Sequence, residues 1–431
     1  MVSPFGLRHP VAPAFAEAGL FLSAVVLTLV CLQSYSTGNF LLETCARADA
    51  LECYQESNGS LPTELVVRDG KYEIPVLARM FLGERWARFF CFTMSFDLYG
   101  ITWAFCSVFA TNLSEQIPLL KDGSERDNYQ LYVIIFVCLV VPLSCISILD
   151  QVYVQLTFLV FRMAMVILML STVCIALRNP DKEFFADFEE GSAVHHGLAS
   201  FASLLTIIQT CIFATAFQFA VPCVAGVCRD KSRMHHILMY SVGFVFISNL
   251  VLAMCTSTYF GDETEASSNL NWISFNGGQE SRSTSTRIVS YYIVLMAAVD
   301  GLAVYPLNTI PLGEGLLGFF YGTKYEPTRK TRVMFHVLAS LPQAFGAFFF
   351  PDLGRIAQYA GIFTVLSYTL CPALLQVASS QKLSAVAGAH KRTVYEHPIL
   401  SSQILAKILI VVAILLVLAV AVEASLGAMS L

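Results

Sequence analysis

Three groups of polar residues stand inside otherwise apolar sequence, and each has a chemistry. The first lies in TIIQTCIFATAFQFAVPCVAGVC, residues 206–228, where Thr210, Thr215 and Gln218 precede Pro222. Proline has no N–H to donate to the preceding turn. In a bilayer, a freed carbonyl is tolerated only against protein or water. A helix broken here would aim bare backbone groups at a bound solute; a plain proline kink is the simpler alternative. The second is AVDGLAVYPLNTIPLGEG, residues 298–315, with Tyr305, Asn308 and Thr309 between and beside Pro306 and Pro311. Its oxygens suit a cation or an ammonium group, or else form an irregular helix end. The third is the set of charges Asp97, Arg162 and Asp300. Intramembrane charge is costly, so it pairs or faces a cavity. Arg162 with a carboxylate makes either a structural ion pair or a relay for a proton or solute.

Other chemistry finds little support. The 13 cysteines sit mostly in apolar runs, without C-x-x-C spacing, and read as small packing residues rather than a zinc site or a disulfide frame. Of the eight histidines, His336 alone falls within a clear apolar run, whereas His195, His196, His235 and His236 belong to connections or interfaces. Metal-dependent membrane enzymes need facing sets of His or carboxylate, so an enzyme is not expected, and neither is a metal or organic cofactor. The net charge of −5 lacks a dense basic block, which argues against nucleic acid.

The elements that must position these residues follow from composition. Of 431 residues, 56% are hydrophobic and 13% charged, about half the charge of an ordinary soluble domain. Lipid is the solvent that needs no charged covering. Ten runs are long enough to cross it as helices: Glu17 to Cys45, Ala87 to Leu113, Gln130 to Leu149, Tyr153 to Leu177, Phe201 to Val227, His235 to Tyr259, Ile288 to Leu312, Val333 to Phe350, Arg355 to Ala378, and Gln403 to Leu426. The result is an all-α, multi-pass integral membrane protein, of plasma or endolysosomal membrane. Residues 62–85 carry Ile74, Leu77, Met80 and Phe81 at helical spacing and read as a surface helix or a loop.

Lys and Arg in the connections set the orientation. One alternate set, which includes Arg47, Arg79, Lys231, Arg332 and Lys391, holds sixteen against seven in the other, and is expected in the cytosol. Asn58 would then be cytosolic, and Asn112 too near the membrane to be glycosylated. Both termini would lie outside. A further helix upstream repairs this, so the chain is read as lacking an opening helix. Connection lengths agree: long, medium, very short after the first run, and again after the sixth, with very short links at 150–152 and 351–354. The expected organisation is two inverted five-helix repeats, 15–178 (without its opener) and 199–379, plus a terminal helix at 403–427.

Three stretches carry a resemblance. CIFATAFQFAVPCVAGVCRDKSRMHHILMYSVGFVFISNLVLAMCTSTYFGD, residues 211–262, resembles the sixth-and-seventh-helix region of the amino acid/auxin permease family. AFAEAGLFLSAVVLTLVCLQSYSTGNFLLE, residues 14–43, is similar to its second helix. LYG at 98–100 and IFVCLVVPLSCISILDQVYVQLTFLVFRMAM at 135–165 resemble its orphan transmembrane-protein-104-like branch. The resemblance implies a LeuT-like fold and amino acid symport with sodium or protons. It implies a solute site at Thr215, Ala216, Phe217, Gln218 and Phe219, with Tyr305, Asn308 and Thr309 near the coupling ion. Relatives often carry His where this chain has Phe219. A non-transporting sensor or an inactive truncated paralogue on the same fold is the alternative.

Overall fold

The computed structural model describes residues 11–429, apart from 58–59, 69–71, 121–122, 147–150, 186–198, 201–202, 266–267, 280, 323–326, 351–360 and 388–390. The links expected at 150–152 and 351–354, the pair His195–His196, and Asn58 fall wholly or partly outside the described residues.

Among the described residues, nine helices are long and apolar enough to span a bilayer. The short α1 (Val11–Ala18) comes first, followed by the first span, α2 (Leu20–Glu56). Then come α3 (Ile74–Leu82), α4 (Glu84–Gln116), α5 (Glu125–Ser144) and α6 (Val152–Arg178). A broken span follows, α7 (Leu204–Ala214) and α8 (Val221–Val227), and then α9 (Met234–Phe260) and α10 (Thr284–Tyr321). Two short helices, α11 (Arg329–Ser340) and α12 (Pro342–Phe349), lead to α13 (Gly361–Ala387) and α14 (Gln403–Met429).

Three expectations change. The first run does not begin inside one helix. Gly19 takes φ 86° and separates α1 from α2, a backbone region in which glycine alone carries no Cβ penalty. α1 then packs on α7 and α9 as a separate element. The first span also continues well past Cys45, because Glu43 and Arg47 pair one turn apart inside it at 2.6 Å. Arg47, assigned above to a connection, is therefore a buried residue of α2. The eighth run, Val333 to Phe350, divides at Pro342 into α11 and α12, since proline withdraws one ladder donor.

α4 and α10 form the centre of the bundle, with α5, α3 and α12 on α4 and α11, α6 and α5 on α10. α2 packs on α13, α9 and α7, and α14 lies outermost against α13. α3 is no free surface helix: it buries Ile74, Leu77 and Ala78 against α4, α10 and α13. α10 and α11 approach closely at Gly313, where a Cβ would sit 2.5 Å from His336 Cδ2 and 3.3 Å from its Cα. Gly313→Ala is expected to cost about 1–3 kcal/mol by overpacking, read as an earlier thermal unfolding of the purified protein in detergent.

The basic connections do gather on one face. Lys231 bonds the Arg68 carbonyl, and Lys382 donates to the Met80 carbonyl at 2.6 Å. Leu65 bridges to Thr393. Tyr395 joins three segments there: its hydroxyl donates to the Lys231 carbonyl at 2.9 Å and accepts from the Val67 N–H at 3.2 Å, and its carbonyl accepts from Asn39 at 2.7 Å. Burial pushes the Tyr395 phenol up to about 12, so it remains a donor at physiological pH. On the opposite face, Phe185 packs among Tyr259, Phe260, Trp272 and Phe275, and Trp272 donates to Thr172 at 2.9 Å. Asn112 is buried within α4.

Candidate functional site

The span 204–227 is broken where its polar residues predicted. α7 stops at Ala214, Thr215 and Phe217 leave helical geometry, and a 3-10 turn at Gln218–Ala220 leads into α8, which carries Pro222 in its first turn. The sequence favours this locally. Pro222 is welcome in a first turn, where its missing N–H is not needed, so the proline starts α8 and the disruption falls before it.

Thr215, Ala216, Phe217, Gln218 and Phe219 are all buried. Side chains on α2 hold the break. Thr215 Oγ1 shares a 2.8 Å hydrogen bond with Ser34 Oγ, and Gln218 Nε2 donates to Thr37 Oγ1 at 3.0 Å. Gln218 Oε1 turns back to accept the Phe217 N–H at 2.8 Å. Gly38 is required beside it, because a Cβ there would lie 2.9 Å from the Phe217 ring. The Phe219 ring faces Tyr368 of α13 at 6.0 Å between centroids. There, α13 widens into a π turn at Leu366–Leu370. Phe219, Ser367, Tyr368 and Cys371 border a small recess with Ile74 of α3 and Phe90, Thr93 and Met94 of α4.

The second cluster is built differently from the open oxygens anticipated. α10 runs unbroken through Pro306 and Pro311. Carbonyls near the prolines accept side-chain donors: Ala303 from Gln155 at 2.7 Å, Val304 from Asn308 at 2.9 Å, Tyr305 from Thr309 at 3.2 Å. Thr309 also donates to Ser144 on α5 at 2.9 Å, and the Tyr305 hydroxyl donates to the Ser340 carbonyl at 2.7 Å. These bonds tie α10 to α5, α6 and α11, and they already use the side chains of Tyr305, Asn308 and Thr309.

The intramembrane charges separate into two kinds. Arg162 Nε lies 3.0 Å from Asp300 Oδ1, joining α6 to α10 as a buried ion pair. Asp97 stands on α4 with a hydroxyl for company, accepting from Thr364 Oγ1 at 2.6 Å. The pair Glu43–Arg47 escaped sequence reading. Arg47 Nη1 donates to Gln376 Oε1 at 2.7 Å and Ser379 Oγ at 3.0 Å, and Gln376 Nε2 donates to Glu43 Oε2 at 2.8 Å. The Glu43–Arg47 spacing of four residues was the available signal.

A broken span braced by polar side chains of a neighbouring span, beside a partly polar recess, is the arrangement of a solute carrier. The family model described as transmembrane amino acid transporter protein matches residues 2–420. The chain belongs to this family. Among curated members, it is similar to a transmembrane protein 104 homolog of Caenorhabditis elegans, 23% identical over 327 residues, covering 69% of this chain and 63% of that protein. The Drosophila melanogaster homolog is 19% identical over 460 residues, covering 90% and 88%. The chain thus spans under two thirds of the nematode relative it matches. Among solved structures, MhsT in complex with L-phenylalanine superposes with a TM-score of 0.55 at 13% identity, covering 96% of this chain and 95% of MhsT. At that identity the likeness speaks for the fold alone, which for this amino acid transporter family member is LeuT-like.

Proposed function

We propose that this family member is a secondary active transporter of amino acids or related small solutes, working by alternating access and driven by sodium or protons. The observation that carries the reading is the break at 215–217, braced from α2 by Ser34 and Thr37. Backbone groups released from a helix ladder are the usual recognition element for a zwitterion in such folds. Phe217 and Phe219 supply apolar walls, and Gln218 fixes the local backbone through the Phe217 N–H. The family's description as transmembrane amino acid transporters supports an amino acid as the solute class.

The test is uptake of a panel of labelled amino acids into liposomes holding the purified protein, with sodium and pH varied across the membrane. Uptake above protein-free liposomes is expected for at least one member. If the folded protein takes up none, the transport reading fails and a sensor on this fold takes its place. Gln218→Ala removes both the brace to Thr37 and the bond to the Phe217 N–H. Losing buried hydrogen bonds of this kind costs about 1–3 kcal/mol of stability, so an earlier thermal unfolding is expected together with a roughly tenfold or greater fall in initial uptake per folded protein.

A further inference from the structure

The further inference concerns Asp97, and it rests on the transport reading above. Asp97 is fully buried in α4, at 0% exposure. Its Oδ1 accepts from Thr364, while its Oδ2 has no hydrogen-bond partner among the described residues. Two further buried atoms are in the same condition, Ser367 Oγ and Tyr368 OH. All three belong to one place. Ser367 and Tyr368 sit on the π turn of α13, which packs on α4 and on the 3-10 turn of the broken span. The Tyr368 hydroxyl approaches the Asp97 carboxyl without bonding geometry, and Tyr368 also borders the recess beside Phe219. Helical π turns are rare and gather at functional sites. Other buried side chains also leave a polar atom unpartnered among the described residues, but here three such atoms share one place.

The electrostatics of the place are simple. Tyr368 is the titratable group that faces Asp97 from α13. Among the described residues, α3, α5, α10 and α12, which also pack on α4, bring no charged side chain to bear on it. An ionised carboxylate there is costly, whereas a neutral carboxyl is not, and a proton on Oδ2 gives that oxygen a hydrogen to share with the Tyr368 oxygen. A metal cation fits less well. Hard cations take about six or more oxygens, and the remainder of the recess is largely apolar, with Phe90, Met94 and Phe219.

We propose that Asp97 is the proton-binding group that couples solute movement to a proton gradient, reached from the recess beside Phe219 through the Tyr368 hydroxyl. On loading, a proton from water on one side forms an O–H bond at Oδ2 and the carboxylate becomes a neutral carboxyl. On release the same bond breaks, the proton returns to water on the other side, and the carboxylate charge reappears. The neutral form is the one that can be enclosed, with the π turn closed on α4. The ionised form needs water, so it belongs to a state open at the recess.

Two readouts test this on the purified full chain in liposomes. The first is infrared spectroscopy of the protonated-carboxyl carbonyl band during a pH titration, which needs no solute. A band that titrates and is absent in Asp97→Asn is expected; no difference between the two proteins would overturn the proposal, whatever the uptake result. The second is uptake of the labelled amino-acid panel with and without an inward proton gradient. Wild type is expected to accumulate label at least tenfold with the gradient, and Asp97→Asn to show the same uptake with and without it. Gradient-driven accumulation surviving in Asp97→Asn, or wild-type uptake driven by sodium and indifferent to protons, sinks the proton assignment while leaving transport intact. Absence of any wild-type uptake sinks transport, and the infrared band then decides the protonation of Asp97 by itself. Should Asp97→Asn fail to fold, Tyr368→Phe takes its place: the band is expected to shift in frequency, and an unmoved band counts against the proposal.

Discussion

Arg47→Met is expected to remove about 3–5 kcal/mol of folding stability, the usual consequence of taking one partner from a buried ion pair. Glu43 is at 0% exposure, so its carboxylate cannot recover the loss from water. Its other bonds, from Gln376 Nε2 and Asn39 Nδ2, come from neutral amides, which do not balance a full charge. Gln376 and Ser379 lose their guanidinium partner at the same time. The double change Glu43→Gln with Arg47→Met removes both charges and is expected to restore most of the stability. Fluorescence-detected gel filtration after heating, on all four members of the cycle, gives the comparison. Equal losses in the single and double variants would mean that shape rather than charge matters at this position.

The second large effect belongs to Arg162. It lies ten residues beyond Val152 on α6, about 15 Å along the helix, near the middle of the ~30 Å hydrocarbon layer. Arg162→Met withdraws the guanidinium from Asp300 at that depth, and a cost of about 3–5 kcal/mol is again expected. Asp300→Asn in the Arg162→Met background is expected to recover most of it. Recovery of folding together with uptake would mark the pair as structural. Recovery of folding with uptake still lost would give the charges a part in the transport cycle.

These two pairs show where sequence reading succeeds in such a chain. Arg162 and Asp300 were visible because each interrupts a long apolar run, and the cost of intramembrane charge demands a partner. Glu43 and Arg47 lie where hydropathy falls away, so Glu43 read as the end of the first run and Arg47 as the start of a connection. Hydropathy measures affinity for lipid, and a helix that continues inside the protein on polar contacts gives no such signal. The break before Pro222 was legible, since proline and clustered polar side chains both point to it. The prolines of α10 misled by the same logic, because the helix runs on through both of them and Tyr305, Asn308 and Thr309 spend their side chains on bonds within α10 and to α5 and α11. The π turn had one overlooked sign in Pro372, which cannot donate to the Tyr368 carbonyl and so loosens the turn before it. What no single-chain pattern revealed is that Asp97 and Tyr368, 271 positions apart in the numbering, share one place.

Tyr395 has a mechanical consequence. Through the Lys231 carbonyl it fastens the segment just after α8 to the Val67 backbone and to Asn39 of α2. The α8 arm of the broken span is therefore tied down on that side. The other arm, α7, packs on α2 and on α1. Any rearrangement of the broken span that frees α8 must therefore first break the Tyr395 bonds to Lys231, Val67 and Asn39.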